Sequence, residues 1–298
     1  MWEQMLAFLE SFFIYPDLKW DLMLVGILLG IAFGAIWLCA HWPPLFKKPW
    51  FWAVAVVSAF LTLLAVTFVQ IPLQYWAGQA LMHFWSGETL VTWLLLAGIP
   101  QILLSGLVQE GAKMVPMVAW WWRSGRNIDP KLGLAIGAIA GAGFGIFEAV
   151  WVHNQMLAAG WTMQALQTDG FMGIAGFWER FFAIGLHVAA SALAGYGLAK
   201  GKGWQFYLIA AGLHALLNYS VVLLQRGYLT FVQVETYVAV VAVAAAVWAL
   251  LLRWGRTEEE EMIEPAETGD EINIEVVREF LEGGFSPLFP PLPSRGWG

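Results

Sequence analysis

The chain has 298 residues, of which 59% are hydrophobic and only 12% charged. A soluble domain carries roughly twice that charged fraction, so this composition excludes a fold wrapped in a water-facing surface. The net charge of −7 is uneven: residues 257–298 hold eleven acids and two bases, against eleven acids and thirteen bases in the rest, so no basic patch points to nucleic acid, and with one cysteine, Cys39, there is neither an intramolecular disulfide nor a cysteine metal site.

Residues 1–21 mix four acids with Trp2, Phe8, Phe12, Phe13 and Trp20, which reads as a short interfacial segment. No basic stretch precedes a short apolar core there, so a cleavable signal peptide is not expected. Seven apolar spans follow, at approximately 22–40, 51–74, 93–122, 132–153, 177–199, 204–224 and 231–252, each near the about 20 residues a helix needs to cross a bilayer. The expected fold is an all-α polytopic transmembrane bundle, with a membrane domain over 22–256. Pro100 and Pro116 lie in the third span, where a kink or tilt is expected.

Orientation follows from the bases. Lys47, Lys48, Arg123, Arg126, Lys131, Lys200, Lys202, Arg253 and Arg256 fall on one side. The other side has Lys19 and Arg226, with Arg180 near its edge. Seven spans then put the N-terminus outside and the C-terminus in the cytoplasm. The tail over 257–298 is acidic and ends in a Pro/aromatic-rich segment. It reads either as a disordered acidic linker, within which Ile272 to Leu281 has the pattern of a short amphipathic helix, or as a docking segment that offers Phe285, Leu288, Phe289 and Trp297 to a protein partner.

Few ionisable residues remain inside the spans: Glu110, Lys113, Glu148, His187, His214 and Glu235, with His153, Glu179 and Arg180 near an end. Each is costly in hydrocarbon unless it faces the bundle interior, and for any one alone a buried clamp between helices is the bland reading. The set says more than its members. Measured from the cytoplasmic bases, Glu110 and His187 each lie about 20 Å deep, His214 about 16 Å, Asn218 about 22 Å and Glu148 about 25 Å. Four helices thus contribute acid, imidazole and amide groups to one layer. Within helices, Glu110 and Lys113 share a face, as do His214 and Asn218, and Arg180, His187 and Ser191. The zinc-helix pattern H-E-x-x-H is absent and no span contains Asp, so neither that site nor a Ser-His-Asp triad is available. What remains is water activated by carboxylate and imidazole, with imidazole and amide donors for an oxyanion.

Four blocks in order resemble the PrsW/YhfC branch of intramembrane proteases, distant relatives of the type II CAAX prenyl endopeptidases. They are Gln109-Glu110-Gly111-Ala112-Lys113; Gly143 to Ala149 with Phe147-Glu148; Glu179-Arg180 followed by His187, Ser191 and Gly195-Tyr196-Gly197; and His214 to Asn218. The resemblance implies a glutamic-type or metal-assisted peptidase, in which Glu110 and His187 activate water, His214 and Asn218 stabilise the oxyanion, and Glu148 completes the cluster. Gln109, Lys113, Arg180 and Ser191 would support them. A Glu/His set of this kind can bind zinc. The implied setting is a bacterial plasma membrane, with membrane lipids around the bundle and a membrane protein or peptide as substrate. One position departs: Gln109 stands where the family has its first glutamate, and an amide cannot act as a base. Two functions stay open on that account, an active peptidase that relies on Glu110 and a non-catalytic subunit that binds partners through its helices and tail. A transporter or channel has only the intramembrane charge in its favour.

Overall fold

The computed structural model describes residues 1–41 and 48–255. The C-terminal tail, with its expected helix and docking segment, lies outside the described residues, as do Lys47 and Arg256 of the orientation argument. Among the described residues every regular element is helical: α1 (Trp2–Glu10), α2 (Trp20–Cys39), α3 (Trp50–Ala65), a π-turn (Val66–Gln70), α4 (Ile71–Phe84), α5 (Gly87–Thr92), α6 (Leu94–Ala97), α7 (Ile99–Arg123), α8 (Pro130–Ala158), α9 (Met163–Asp169), a 3-10 turn (Gly170–Ile174), α10 (Ala175–Ala199), α11 (Gly203–Gln225) and α12 (Phe231–Trp254). Seven stretches are long and apolar enough to cross a membrane: Trp20–Cys39, Trp50–Phe84, Leu94–Arg123, Pro130–Ala158, Met163–Ala199, Gly203–Gln225 and Phe231–Trp254. The chain is an integral membrane protein with an all-α bundle. Helices are the natural outcome, because hydrocarbon offers backbone groups no partner outside the segment.

Prolines bear on the second and third spans, and the second is longer than the apolar pattern suggests. The second runs on to Phe84 through the π-turn. Pro72, at the start of α4, has no N–H for the helical bond to Phe68, and the chain widens by one turn just before it. In the third, Pro100 sits at the beginning of α7, where a missing N–H costs nothing. The chain breaks earlier, at Trp93 between α5 and α6, and Pro116 lies within α7 without interrupting it.

α8 and α10 form the core and meet backbone to backbone. A Cβ at Gly133, Gly137 or Gly141 of α8 would overlap the carbonyl of Gly195, Ser191 or His187 on α10. On its other sides α8 receives Ala55 of α3 against Gly143, and presents Ile146, Val150 and Asn154 to Gly34, Gly30 and Gly26 of α2. Ser58 on α3 donates to the Ala140 carbonyl at 2.8 Å. Small residues every fourth position let the helices close to this distance, where van der Waals contact and interhelical hydrogen bonds hold a membrane bundle together. The outward faces of α2 and α12 carry Leu28, Ile36, Val240 and Leu251, all exposed to the surroundings that lipid supplies.

Candidate active site

The close contact of α8 with α10 fixes where their polar side chains emerge. His187 and Ser191 lie on the stripe of α10 that faces the glycines of α8, and Glu148 follows one turn after Gly145, against which His187 packs. α7 and α11 add the rest, held together where Gly106 meets the backbone of Ala211.

Glu110 is the hub, only 1% exposed. Its Oε1 accepts from Lys113 Nζ at 2.5 Å and from His214 Nδ1 at 2.8 Å. Its Oε2 accepts from Ser191 Oγ at 3.3 Å. Lys113 also donates to His187 Nδ1 at 2.7 Å, so the proton of a neutral His187 sits on Nε2, which donates to Glu148 Oε2 at 3.2 Å. Arg180 donates to Glu148 Oε2 at 3.1 Å and to Glu179. His214 has the opposite tautomer. A carboxylate only accepts, so Nδ1 carries the proton toward Glu110 and Nε2 keeps its lone pair.

A polar cavity of about 50 Å³ lies beside this network, lined by Gln109, Glu148, Arg180, Ala183, Leu186, His187, His214, Leu217 and Asn218. By the same measure one water needs about 10–15 Å³, so a few waters fit. Glu110 is not on its wall: it stands behind His214. Arg180, placed at a membrane edge by the base count, belongs to this wall and is bonded inside the bundle.

Every residue of the sequence-derived set is therefore in one connected network or on the cavity wall. Of the other intramembrane ionisable groups, Glu179 joins the network through Arg180, while His153 and Glu235 make separate hydrogen bonds. His153 bonds the Gly26 carbonyl at 3.2 Å near α2, and the backbone of Glu235 accepts from Trp178 Nε1 at 3.3 Å. Sequence reasoning missed an amide network leading to Gln109. Gln109 Nε2 donates to Gln70 Oε1 at 3.1 Å and Ser105 Oγ at 3.2 Å, and Asn218 Nδ2 donates to the same Ser105 oxygen at 3.2 Å. The signal was present as spacing by four: Gln70 and Gln74 on one span, Gln101, Ser105 and Gln109 on another.

A model of the PrsW family intramembrane metalloproteases matches residues 48–249. The chain belongs to the PrsW family. It is thereby an intramembrane peptidase in general type. No curated protein and no solved structure matches it. The PrsW name carries a metal, and the residues fit one: Glu110, His187 and His214 each offer a ligand atom, and these atoms lie within 4.8 Å of one another. One carboxylate and two imidazoles are a donor set that zinc accepts. Lys113 Nζ lies within hydrogen-bond reach of both Glu110 Oε1 and His187 Nδ1, so an ion there and the lysine's positive charge would compete for the same two atoms.

Proposed function

We propose that this PrsW-family chain hydrolyses peptide bonds of membrane-associated substrates with a water held in the polar cavity, in a bacterial plasma membrane with its N-terminus outside. The observation that carries the reading is the convergence of α7, α8, α10 and α11 on one small polar cavity inside an apolar bundle. His214 takes the proton from the water through Nε2. Glu110 holds that imidazole by Nδ1 and stabilises the positive charge it acquires, as a carboxylate behind a catalytic histidine does. Asn218 and Arg180, both on the cavity wall, supply N–H groups to the oxyanion that develops on the substrate carbonyl. Glu148 orients Arg180 and His187. A divalent ion bound by Glu110, His187 and His214 would supply Lewis acidity and a more acidic water in place of the His214 base, because the imidazole lone pair would then be given to the ion.

The test uses full-length protein in phospholipid vesicles and a panel of fluorogenic transmembrane peptides. Wild type cleaves at least one, and Asn218→Leu lowers turnover by roughly 10²-fold, the weight of one oxyanion donor. Elemental analysis of the purified protein settles the ion: zinc near one per chain that falls in His214→Ala supports its place at these residues. The competing reading, a non-catalytic subunit, rests on Gln109 and on the Pro/aromatic-rich tail sequence, and a wild type that cleaves none of the panel favours it. For orientation, Cys39 is replaced by Ser and a cysteine placed at the exposed Asn127, which should react only with reagents on the cytoplasmic side.

A further inference from the structure

Gln109 breaks the family's acidic pair, yet its amide is held more firmly than a tolerated substitution requires. Its residue is 6% exposed. Both N–H groups are spent, one on Gln70 Oε1 and one on Ser105 Oγ. Gln70 Nε2 in turn donates to Gln74 Oε1 at 3.4 Å, and Gln74 Nε2 donates to the backbone carbonyl of Gln101 at 2.8 Å. That last acceptor is main chain and cannot turn round. It fixes the sense of Gln74, which fixes Gln70, which fixes Gln109. Every amide in the ladder therefore points its N–H toward the Gln101 carbonyl and its oxygen toward the cavity end. The final oxygen, Gln109 Oε1, is buried and has no hydrogen-bond partner, and Gln109 is on the cavity wall. A buried acceptor left unpaired carries the full cost of its desolvation, and aligned hydrogen bonds upstream polarise it further.

We infer that Gln109 is a positioning residue whose carbonyl oxygen accepts the second hydrogen of the attacking water, the first being directed to His214. Two acceptors fix both hydrogens, so an oxygen lone pair is aimed at the substrate carbonyl. This inference rests on the peptidase reading. A glutamate at 109 would be the wrong group in this chain. Its carboxylate has no N–H for Gln70 Oε1, and flipping Gln70 to compensate sets its oxygen against that of Gln74, whose own sense is held by the Gln101 carbonyl. The ladder makes the glutamine at 109 a matched feature of this sequence, with Gln70 and Gln74 as its partners.

The experiment compares wild type, Gln109→Met, Gln109→Glu and Gln74→Leu in the vesicle assay, with thermal unfolding of each. Gln109→Met should lower kcat about tenfold, the weight of one hydrogen bond, with KM within twofold. Gln109→Glu should also lower kcat, and Gln74→Leu should lower it by a smaller factor while the unfolding midpoint stays near wild type. A purely structural role would move the midpoint and leave kcat of the folded fraction unchanged. A higher kcat in Gln109→Glu, or an unchanged one in Gln109→Met, overturns the inference while leaving the peptidase reading intact. Should wild type cleave nothing, the peptidase reading fails, and high-resolution density decides the remainder. Water within hydrogen-bond distance of Gln109 Oε1 supports the acceptor role, and its absence overturns it.

Discussion

The α8–α10 pair and the α4–α7 pair hold polar groups in opposite ways. α8 meets α10 through glycine, alanine and bare backbone, and most of their residues are buried. α4 has no buried residue at all, and it grips α7 by side chains: Gln74 donates to the Gln101 carbonyl and Gln101 donates back to the Gln74 carbonyl, at 2.8 and 2.9 Å. Charged groups gather against the first pair, where Glu148, Arg180 and His187 lie on it and Glu110 and Lys113 reach it from α7 through Ser191 and His187, while the contact of α4 with α7 is made by neutral amides. Desolvating an ion costs far more than desolvating an amide, so ions need a frame that holds their partners at fixed distance. Amides work where the frame is looser, because each brings its own donor and acceptor.

The largest break in this contrast is Gly137→Leu. The new side chain must displace the Ser191 backbone, and a loss of at least about 3 kcal/mol is expected, read as failure to purify a folded species. Glu110→Gln comes next. It leaves the Lys113 ammonium buried without its carboxylate, a change that typically costs about 3–5 kcal/mol. The double variant Glu110→Gln with Lys113→Met should recover a large part of that, as a thermal-unfolding cycle would show. Additive single effects would mean the pair is not coupled.

A charge-sensitive group outside the spans sharpens the contrast. His41 is buried, its Nδ1 has no hydrogen-bond partner, and burial followed by the charge of Arg253 lowers its pKa from 6.5 to about 4. The unfolded chain therefore binds a proton between these values and the folded chain does not. Stability is full above pH 6.5 and falls as pH drops toward 4, by about 3 kcal/mol at most. His41→Leu should flatten that part of the stability-versus-pH curve. The smallest effect belongs to a glycine outside the close contacts. A Cβ at Gly212 of α11 meets nothing within 4 Å, so Gly212→Ala should stabilise the protein by about 0.5–1 kcal/mol through helix propensity alone.

The spans, the polar layer and the four blocks were legible in the sequence because each is a local pattern: apolar runs, spacing by three or four, depth counted along a helix. Glu110, Glu148, His187 and His214 do belong to one network for the reason that layer suggests. What stayed hidden depends on which nitrogen or oxygen meets which. The sequence places Glu110 and His214 at similar depth, but only the 2.8 Å bond between them shows that His214 keeps its free lone pair while His187 does not. Pro72 was visible as a letter, yet its effect is a wider turn that carries the span on to Phe84. Gln70 and Gln74 are polar letters in an apolar run, and only the hydrogen bonds show that their amides run in one direction.

A network that performs chemistry differs from a clamp between helices in needing the His214 base. That need is tested most directly by His214→Gln in vesicles, with cleavage and thermal unfolding measured on the same preparation. Gln Nε2 can still donate to Glu110 but has no basic nitrogen for the water. Turnover should fall roughly 10²–10⁴-fold, the weight of a general base, with the unfolding midpoint close to that of wild type. Undiminished cleavage by a folded His214→Gln would contradict that role.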